Sequence, residues 1–101
     1  MLVAIQKWEA IEKVFNPPPD YAEAHGGQVI LYATSWCAYC KKTRKLLEEN
    51  YIPYYEYNIE TSQEGRKQYD KLGGRGVPVL LIGGVVVNGY RPAEILELAK
   101  N

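Results

Sequence analysis

A buried-strand pattern runs directly into a helical pattern at the only two cysteines of this 101-residue chain. The apolar run Val29–Ala33 has the length and the β-branched content of a buried strand, and Lys42–Leu47 begins a helical pattern. The motif Cys37-Ala38-Tyr39-Cys40 lies between the two. The sequence therefore predicts that Cys37 lies at a helix N-terminus, with a second thiol three positions further along.

This placement predicts a reactive thiol pair. Unpaired backbone N–H groups and the positive end of the helix macrodipole favour a thiolate over a thiol at the first cysteine. We therefore expect Cys37 to be a nucleophile and Cys40 the thiol that resolves its adducts. The alternative is half of a zinc site. A structural zinc site needs four ligands, however, and His25 is the only histidine in the sequence.

Length and charge limit the remaining function classes. The chain is long enough for one compact core, and we expect a monomer. Its 12 basic and 12 acidic residues cancel, so nothing in the net charge favours nucleic acid as a partner. No apolar stretch approaches the roughly 20 residues of a membrane helix. We expect a cytoplasmic protein, or a periplasmic or membrane-anchored one if an N-terminal segment has been removed.

Three consecutive prolines, Pro17–Pro19, divide the chain because a helix cannot run through them. Apolar residues before them recur at helical spacing and predict an amphipathic helix (Ile5, Trp8, Phe15). This helix is expected to pack on the domain, or alternatively to dock on a partner or a membrane. Residues 21–27 are interpreted as a linker. The predicted parts are thus 1–27, an N-terminal helix with a Pro-rich linker, and 28–101, a folded domain.

Strand and helix patterns alternate from Gln28 onward, in the order β-α-β-α-β-β-α. The predicted strands are 28–34, 54–59, 77–82 and 85–87. The predicted helices are 39–50, 61–72 and a last one from Arg91. Thr61, followed three positions later by Glu64, resembles a capping box for the second helix, and Gly73-Gly74 ends it.

The element order and three separate motifs resemble the glutaredoxin family of the thioredoxin superfamily. The motifs are Trp36–Lys41, Gly76-Val77-Pro78 and Asn88-Gly89-Tyr90. The resemblance covers about residues 28–100. It implies an α/β, thioredoxin-like fold with a four-stranded mixed sheet behind the extra N-terminal helix, and a cis peptide bond before Pro78.

The resemblance also implies an activity. Members of this family are thiol-disulfide oxidoreductases that reduce protein disulfides or glutathione mixed disulfides. Glutathione would be a co-substrate and no cofactor would be tightly bound. Besides the cysteines, the residues expected to bind glutathione or another thiol substrate are Tyr39, Arg75, Val77, Pro78, Gly89, Tyr90 and Arg91.

The chain departs from the family pattern at several positions, and these leave alternatives open. Thr34 and Gly74 stand where glutaredoxins usually carry a lysine and a glutamine that bind the carboxylate of glutathione. Arg75 offers a two-donor fork as a replacement. The Tyr90-Arg91-Pro92 turn is more similar to glutaredoxin-like redoxins, which take electrons from thioredoxin reductase. Ala38, in place of the family's proline, is similar to relatives that carry a glutathione-ligated iron–sulfur cluster between two subunits.

The charges of the cysteine helix are arranged against its macrodipole. Cations crowd its first turns and acids lie near its end (Lys41, Lys42, Arg44, Lys45; Glu48, Glu49). Either the cations stabilise the Cys37 thiolate and attract acidic thiols such as glutathione, or they belong to a solvated face held by Arg44–Glu48 and Lys45–Glu49 pairs.

Overall fold

The structure is a computed structural model, and it describes residues 21–100, except for the side chains of residues 23 and 24. The amphipathic helix predicted before the prolines lies outside the described residues. None of the helices described here is long and apolar enough to cross a membrane.

Four strands form one mixed sheet in the order β2-β1-β3-β4. They are β1 Val29–Ala33, β2 Tyr54–Asn58, β3 Val79–Ile82 and β4 Val85–Asn88. β1 runs parallel to β2 and antiparallel to β3, and β3 pairs antiparallel with β4. β3 begins two residues later than predicted. Pro78 has no N–H to donate to a strand ladder, which is a physical reason for the later start.

Within residues 21–100, three α-helices connect and flank the strands: α1 Ala38–Glu49, α2 Gln63–Lys71 and α3 Pro92–Lys100. This confirms the predicted element order and the α/β class. β1 is buried along its whole length, as expected for a continuous apolar run at the centre of a sheet. Its side chains point alternately to the two faces of the sheet and are buried in two core layers. Leu31 packs in one layer with Leu47 of α1 and Ile95 of α3, and Tyr32 packs in the other with Tyr69 of α2.

The start of α2 differs from the predicted capping box. Ser62, not Thr61, is the N-cap residue, and its Oγ accepts a hydrogen bond from the Gly65 N–H at 2.9 Å. Glu64 does not reach back to the cap; its carboxylate accepts a hydrogen bond from Gln68 at 2.9 Å. Neighbouring Thr and Ser residues both have capping chemistry, so the sequence alone does not separate them.

The linker predicted over 21–27 contains a 3₁₀ helix at Tyr21–His25. Ala22 is buried in the core layer that contains Tyr32 and Tyr69. The His25 ring stacks on Tyr55 of β2, with their centroids 3.9 Å apart. Five residues with one buried alanine are too few to produce a periodic pattern, which is why the sequence does not reveal this helix.

Candidate functional site

The sheet topology brings all predicted site segments to one edge. β1 and β2 are parallel and end beside each other, with Ala33 opposite Asn58. β3 is antiparallel to β1 and therefore begins at the same edge, where Val79 pairs with Asn88 at the end of β4. The cysteine motif, the Val77-Pro78 step and the turn at Gly89 thus converge although they are far apart in sequence.

Cys37 is the N-cap residue of α1. Its backbone is extended, and its Sγ accepts a hydrogen bond from the Cys40 N–H at 3.1 Å. In the thiol form, the same sulfur donates to the Val77 carbonyl oxygen at 3.7 Å. The sulfur therefore lies at the donor-rich end of the helix, the position that stabilises a thiolate.

Cys40 lies one turn further along and is completely buried, whereas Cys37 is 8% exposed. Burial raises the pKa of the Cys40 thiol to about 12, and its hydrogen bond to Cys37 acts in the same direction. A backbone hydrogen bond from Thr34 and the charge of Arg44 act in the opposite direction. Cys40 thus keeps its proton in the reduced protein, and of the two sulfurs only Cys37 is open to attack a substrate.

A groove of about 340 Å³ borders Val77, whose carbonyl oxygen contacts Cys37. It is lined by five of the seven predicted substrate-binding residues: Tyr39, Val77, Pro78, Gly89 and Tyr90. The Val77–Pro78 peptide bond is cis, as predicted. The Gly89 N–H donates to the Pro78 carbonyl at 2.8 Å, and its φ of 95° is a conformation that favours glycine.

The two predicted arginines do not line this groove. Arg75 is exposed, and its backbone N–H donates to the Asn88 side chain at 3.2 Å. Arg91 is also exposed, and it pairs with Glu94 at 3.5 Å. The geometry therefore groups five of the predicted residues beside Cys37 and leaves both cations outside the groove.

The two positions that depart from the family pattern are closed to the missing side chains. Thr34 is only 2% exposed, and within the described part of the chain its hydroxyl has no hydrogen-bond partner. Gly74 lies against the ring of Tyr69, and a Cβ added there would stand within 2.6 Å of three ring atoms. Neither position presents a polar group to the groove.

One of the two ion pairs predicted for α1 is wrong. Arg44 does not pair with Glu48 but with Glu56 of β2, with an Nη2–Oε2 distance of 2.6 Å. Glu56 offers both oxygens to the guanidinium, a bidentate geometry that is among the stronger charge-assisted contacts. Glu48 instead accepts a hydrogen bond from the Tyr54 hydroxyl at 2.8 Å. The Lys45–Glu49 pair is present at 3.9 Å.

Three further side chains make contacts at the site that the sequence did not predict. Trp36 is 70% exposed, and its indole N–H donates to Glu60 at 3.0 Å. The Lys42 ammonium lies 5.3 Å from the centre of the Tyr39 ring. Spacing would have revealed the Lys42–Tyr39 contact, since residues three apart on a helix are neighbours. The role of Tyr69 behind Gly74 had no sequence signal.

The chemistry available at this edge is that of sulfur. Within residues 21–100, no three His, Cys, Asp or Glu side chains are grouped as metal ligands would be. Cys37 and Cys40 are both free thiols, and the Cys40 backbone N–H donates to the Cys37 sulfur at 3.1 Å. A dithiol at a helix N-terminus beside an open groove can exchange with a disulfide placed in that groove.

Comparison with known proteins identifies the family. The family model described as Glutaredoxin matches residues 29–87. The glutaredoxin-like protein NrdH of Lactococcus lactis subsp. cremoris is 32% identical over 71 residues, which cover 70% of this chain and 99% of that protein. The glutaredoxin of Pseudomonas aeruginosa is 32% identical over 72 residues, which cover 70% of this chain and 86% of that one.

Solved structures agree with this assignment. The glutaredoxin grx-1 of Archaeoglobus fulgidus has a TM-score of 0.64 and 27% identity, and the match covers 74% of this chain and 88% of that one. The NrdH-redoxin of Escherichia coli has a TM-score of 0.65 and covers 70% of this chain and 93% of that one, at 24% identity. The fold is therefore thioredoxin-like, and the chain belongs to the glutaredoxin family of thiol-disulfide redox proteins.

Proposed function

We propose that this protein reduces protein disulfides or glutathione mixed disulfides, with Cys37 as the nucleophile and Cys40 as the resolving thiol. The Cys37 thiolate attacks one substrate sulfur, forms a mixed disulfide and releases the other sulfur as a thiolate. Cys40 loses its proton and attacks Cys37, which forms the Cys37–Cys40 disulfide and releases the second substrate thiol. Two electrons thus pass from the protein dithiol to the substrate disulfide.

The observation that supports this proposal best is the unequal placement of the two sulfurs. Cys37 accepts a backbone hydrogen bond at the start of α1 and contacts Val77, which lines the groove, whereas Cys40 is fully buried. An attacking thiol has to be ionised and accessible, but a resolving thiol has only to reach its neighbour. Burial raises the pKa of Cys40 to about 12, which keeps it from competing with Cys37 for the substrate.

Glutathione is the first candidate for the reductant that reopens the Cys37–Cys40 disulfide. The groove between Tyr39 and Tyr90 has a volume of about 340 Å³, and it is also lined by Val77, whose carbonyl oxygen contacts Cys37. Arg75 is close in sequence to Val77, is exposed, and has a guanidinium fork that suits a carboxylate. In this proposal Arg75 replaces the lysine and glutamine that glutaredoxins usually use.

A second candidate is a redoxin that thioredoxin reductase recharges. A specific observation favours it: Tyr69 fills the space at Gly74, so the usual glutamine contact to glutathione has no room. Thr34 is buried and supplies no cation. In this proposal the exposed Arg91 and the adjoining Tyr90 serve to dock a protein partner.

The deciding experiment couples the pure protein to two electron sources in parallel. One contains glutathione, glutathione reductase and NADPH, and the other contains thioredoxin reductase and NADPH. Both are supplied with a glutathione mixed disulfide and with a protein disulfide. Turnover in the first supports the glutathione proposal, and turnover in the second alone supports the redoxin proposal.

Single cysteine variants test the roles of the two sulfurs in the same assays. Cys37→Ser should abolish exchange with both electron sources. Cys40→Ser should lose reduction of the protein disulfide, yet keep removal of glutathione if glutathione itself can resolve the adduct. Exchange that survives in Cys37→Ser would refute the proposed mechanism.

A further inference from the structure

An ion pair begins one helical turn beyond the resolving cysteine, and the exchange reaction as written does not use it. Arg44 donates from Nε to one oxygen of Glu56 at 2.8 Å and from Nη2 to the other at 2.6 Å. About three quarters of each side chain is buried, with 26% and 27% exposed. Two parallel hydrogen bonds hold the guanidinium in one orientation. A lysine at this position would have no planar fork and would not be oriented in the same way.

The charge of Arg44 acts on Cys40 and favours its thiolate. Arg44 follows Cys40 by four positions on α1, so the two residues occupy the same helix face one turn apart. Arg44 Nη2 also donates to the Thr34 carbonyl oxygen at 3.3 Å, and the backbone of Thr34 hydrogen bonds to the Cys40 sulfur. One backbone residue thus touches both side chains.

Among residues 21–100, two titratable groups act directly on the charge of Cys40. Cys37 and Arg44 act on it from its own helix. Glu56 and Tyr54 act on Arg44 from β2, and the hydroxyl of Tyr54 is itself held by Glu48. The hydrogen bonds from Arg44 to Glu56 raise the pKa of Arg44, so the guanidinium stays charged through the reaction.

The balance of these influences changes during the reaction. In the free dithiol, the hydrogen bond and the charge of Cys37 both raise the pKa of Cys40. When Cys37 is joined to a substrate sulfur, it carries no charge and is no longer the thiolate that accepts a hydrogen bond from the Cys40 thiol. Burial then still opposes ionisation of Cys40, and the backbone of Thr34 and the charge of Arg44 still favour it. Arg44 is thus the cation that acts on Cys40 when Cys40 has to ionise.

We propose that Arg44 is a positioning residue for the resolving step: its guanidinium, oriented by Glu56, promotes the attack of Cys40 on the Cys37 mixed disulfide. This inference rests on the proposed function. In the step, Cys40 gives its proton to water, its sulfur bonds to Cys37, and the bond from Cys37 to the substrate sulfur breaks. The departing thiolate takes up a proton from water. Glu56 orients Arg44 but also offsets part of its charge.

The two members of the pair should therefore have opposite effects. Arg44→Met removes the cation and should slow the resolving step. Glu56→Gln keeps one acceptor oxygen for the guanidinium but removes the offsetting charge, so it should accelerate the same step. Because a thiolate also loses nucleophilicity as its pKa falls, a shift of one pKa unit should change the rate at neutral pH by only about threefold. Arg44→Lys keeps the charge and should restore part of the rate.

Stopped-flow absorbance with a symmetrical chromogenic disulfide separates the two steps in the whole protein. Attack by Cys37 releases the first equivalent of coloured thiol, and attack by Cys40 releases the second. Cys40→Ser, which should release one equivalent, identifies the second phase. The rate of the second phase is then measured from pH 6 to pH 9 in each variant. Arg66→Met and Asp70→Asn are matched controls, because they dismantle the exposed Arg66–Asp70 pair of α2.

Opposite shifts of the second phase in Arg44→Met and Glu56→Gln, with both controls unchanged, would support the proposal. A purely structural ion pair would give shifts of the same sign, or none, and either result would overturn it. If Arg44→Met does not fold, the acceleration expected in Glu56→Gln decides alone. If the wild-type protein releases no coloured thiol at all, the proposed function fails as well, and the two failures are thereby distinguished.

Discussion

The ring of Tyr69 occupies the space into which a side chain at position 74 would project. A Cβ built on Gly74 would lie within 2.6 Å of three atoms of that ring. The ring cannot easily move away, because the Tyr69 hydroxyl donates to the Gly76 carbonyl at 2.7 Å and the residue is buried in the core. The side chain of Tyr69 in α2 thus determines which residue fits at position 74, three positions before Val77.

Gly74→Ala should therefore destabilise the protein. Forcing one extra carbon into this packed region should lower the free energy of unfolding by about 1–3 kcal/mol. Gly74 has no positive φ, so backbone strain is not the cause. Urea unfolding gives the measurement. In a Tyr69→Leu background the same change should cost less, and an equal cost in both backgrounds would contradict the explanation.

The cap of α2 offers a test with a neighbouring control. Ser62→Ala removes the acceptor for the Gly65 N–H and should lower the free energy of unfolding by about 1 kcal/mol. Thr61→Ala, one position earlier, should change it by less than about 0.5 kcal/mol because Thr61 is exposed and does not cap the helix. Equal losses of unfolding free energy in the two variants would contradict the assignment of Ser62 as the N-cap residue.

The buried thiol should make the reduced protein less stable at high pH. Folding raises the pKa of Cys40 from 9.0 to about 12, so the folded state holds this proton more tightly than the unfolded state. The corresponding stability is fully present below about pH 9 and is lost as the pH rises toward 12, with a slope of at most about 1.4 kcal/mol per pH unit. Denaturant unfolding under reductant, from pH 8 to 10.5, should show a shallower decline in Cys40→Ala. Parallel declines in the two proteins would rule this out.

Lys42 should contribute to the choice of substrate. Its ammonium lies over the ring of Tyr39, which lines the groove. Lys42→Glu should lower kcat/KM for a glutathione mixed disulfide by about three- to tenfold at low salt, and less at high salt because the charges are screened. An uncharged small disulfide should be little affected.

Lys67→Glu is the control for that experiment, since it makes the same charge change at an exposed position of α2. A similar loss in both variants would mean that net charge, and not the position of Lys42, governs the effect. A loss for the uncharged disulfide as large as for the glutathione mixed disulfide would also contradict the prediction.

Residue patterns predict most of the fold: the length and β-branched content of the apolar run in β1 indicate a strand, and α1 and α3 place apolar residues at helical spacing. The position of Cys37 followed directly from the junction of a strand pattern and a helix pattern. Glu56 could not be matched with Arg44 in the same way. Its partner depends on which face of β2 meets α1, and this is set by the parallel pairing with β1.

Local chemistry was ambiguous wherever two neighbours could serve equally well. Thr61 and Ser62 are both cap formers, and only the observed backbone at Ser62 selects between them. Glu48 was a suitable helical partner for Arg44 until Glu56 offered two oxygens in one plane. Such choices depend on tertiary geometry, which no pattern of residue types along the chain contains.

The 3₁₀ helix at Tyr21–His25 shows that the folded core begins earlier in the chain than the similarity to the family does. Sequence similarity to the family begins at residue 29, where β1 starts. Ala22 nevertheless belongs to the core beneath Ile30 and Leu81, and His25 is clamped against β2 by Tyr55 and Tyr57. A truncated protein that starts at residue 29 would lack Ala22 and therefore part of the hydrophobic core. A fragment meant to fold on its own has to retain the residues from Tyr21 onward.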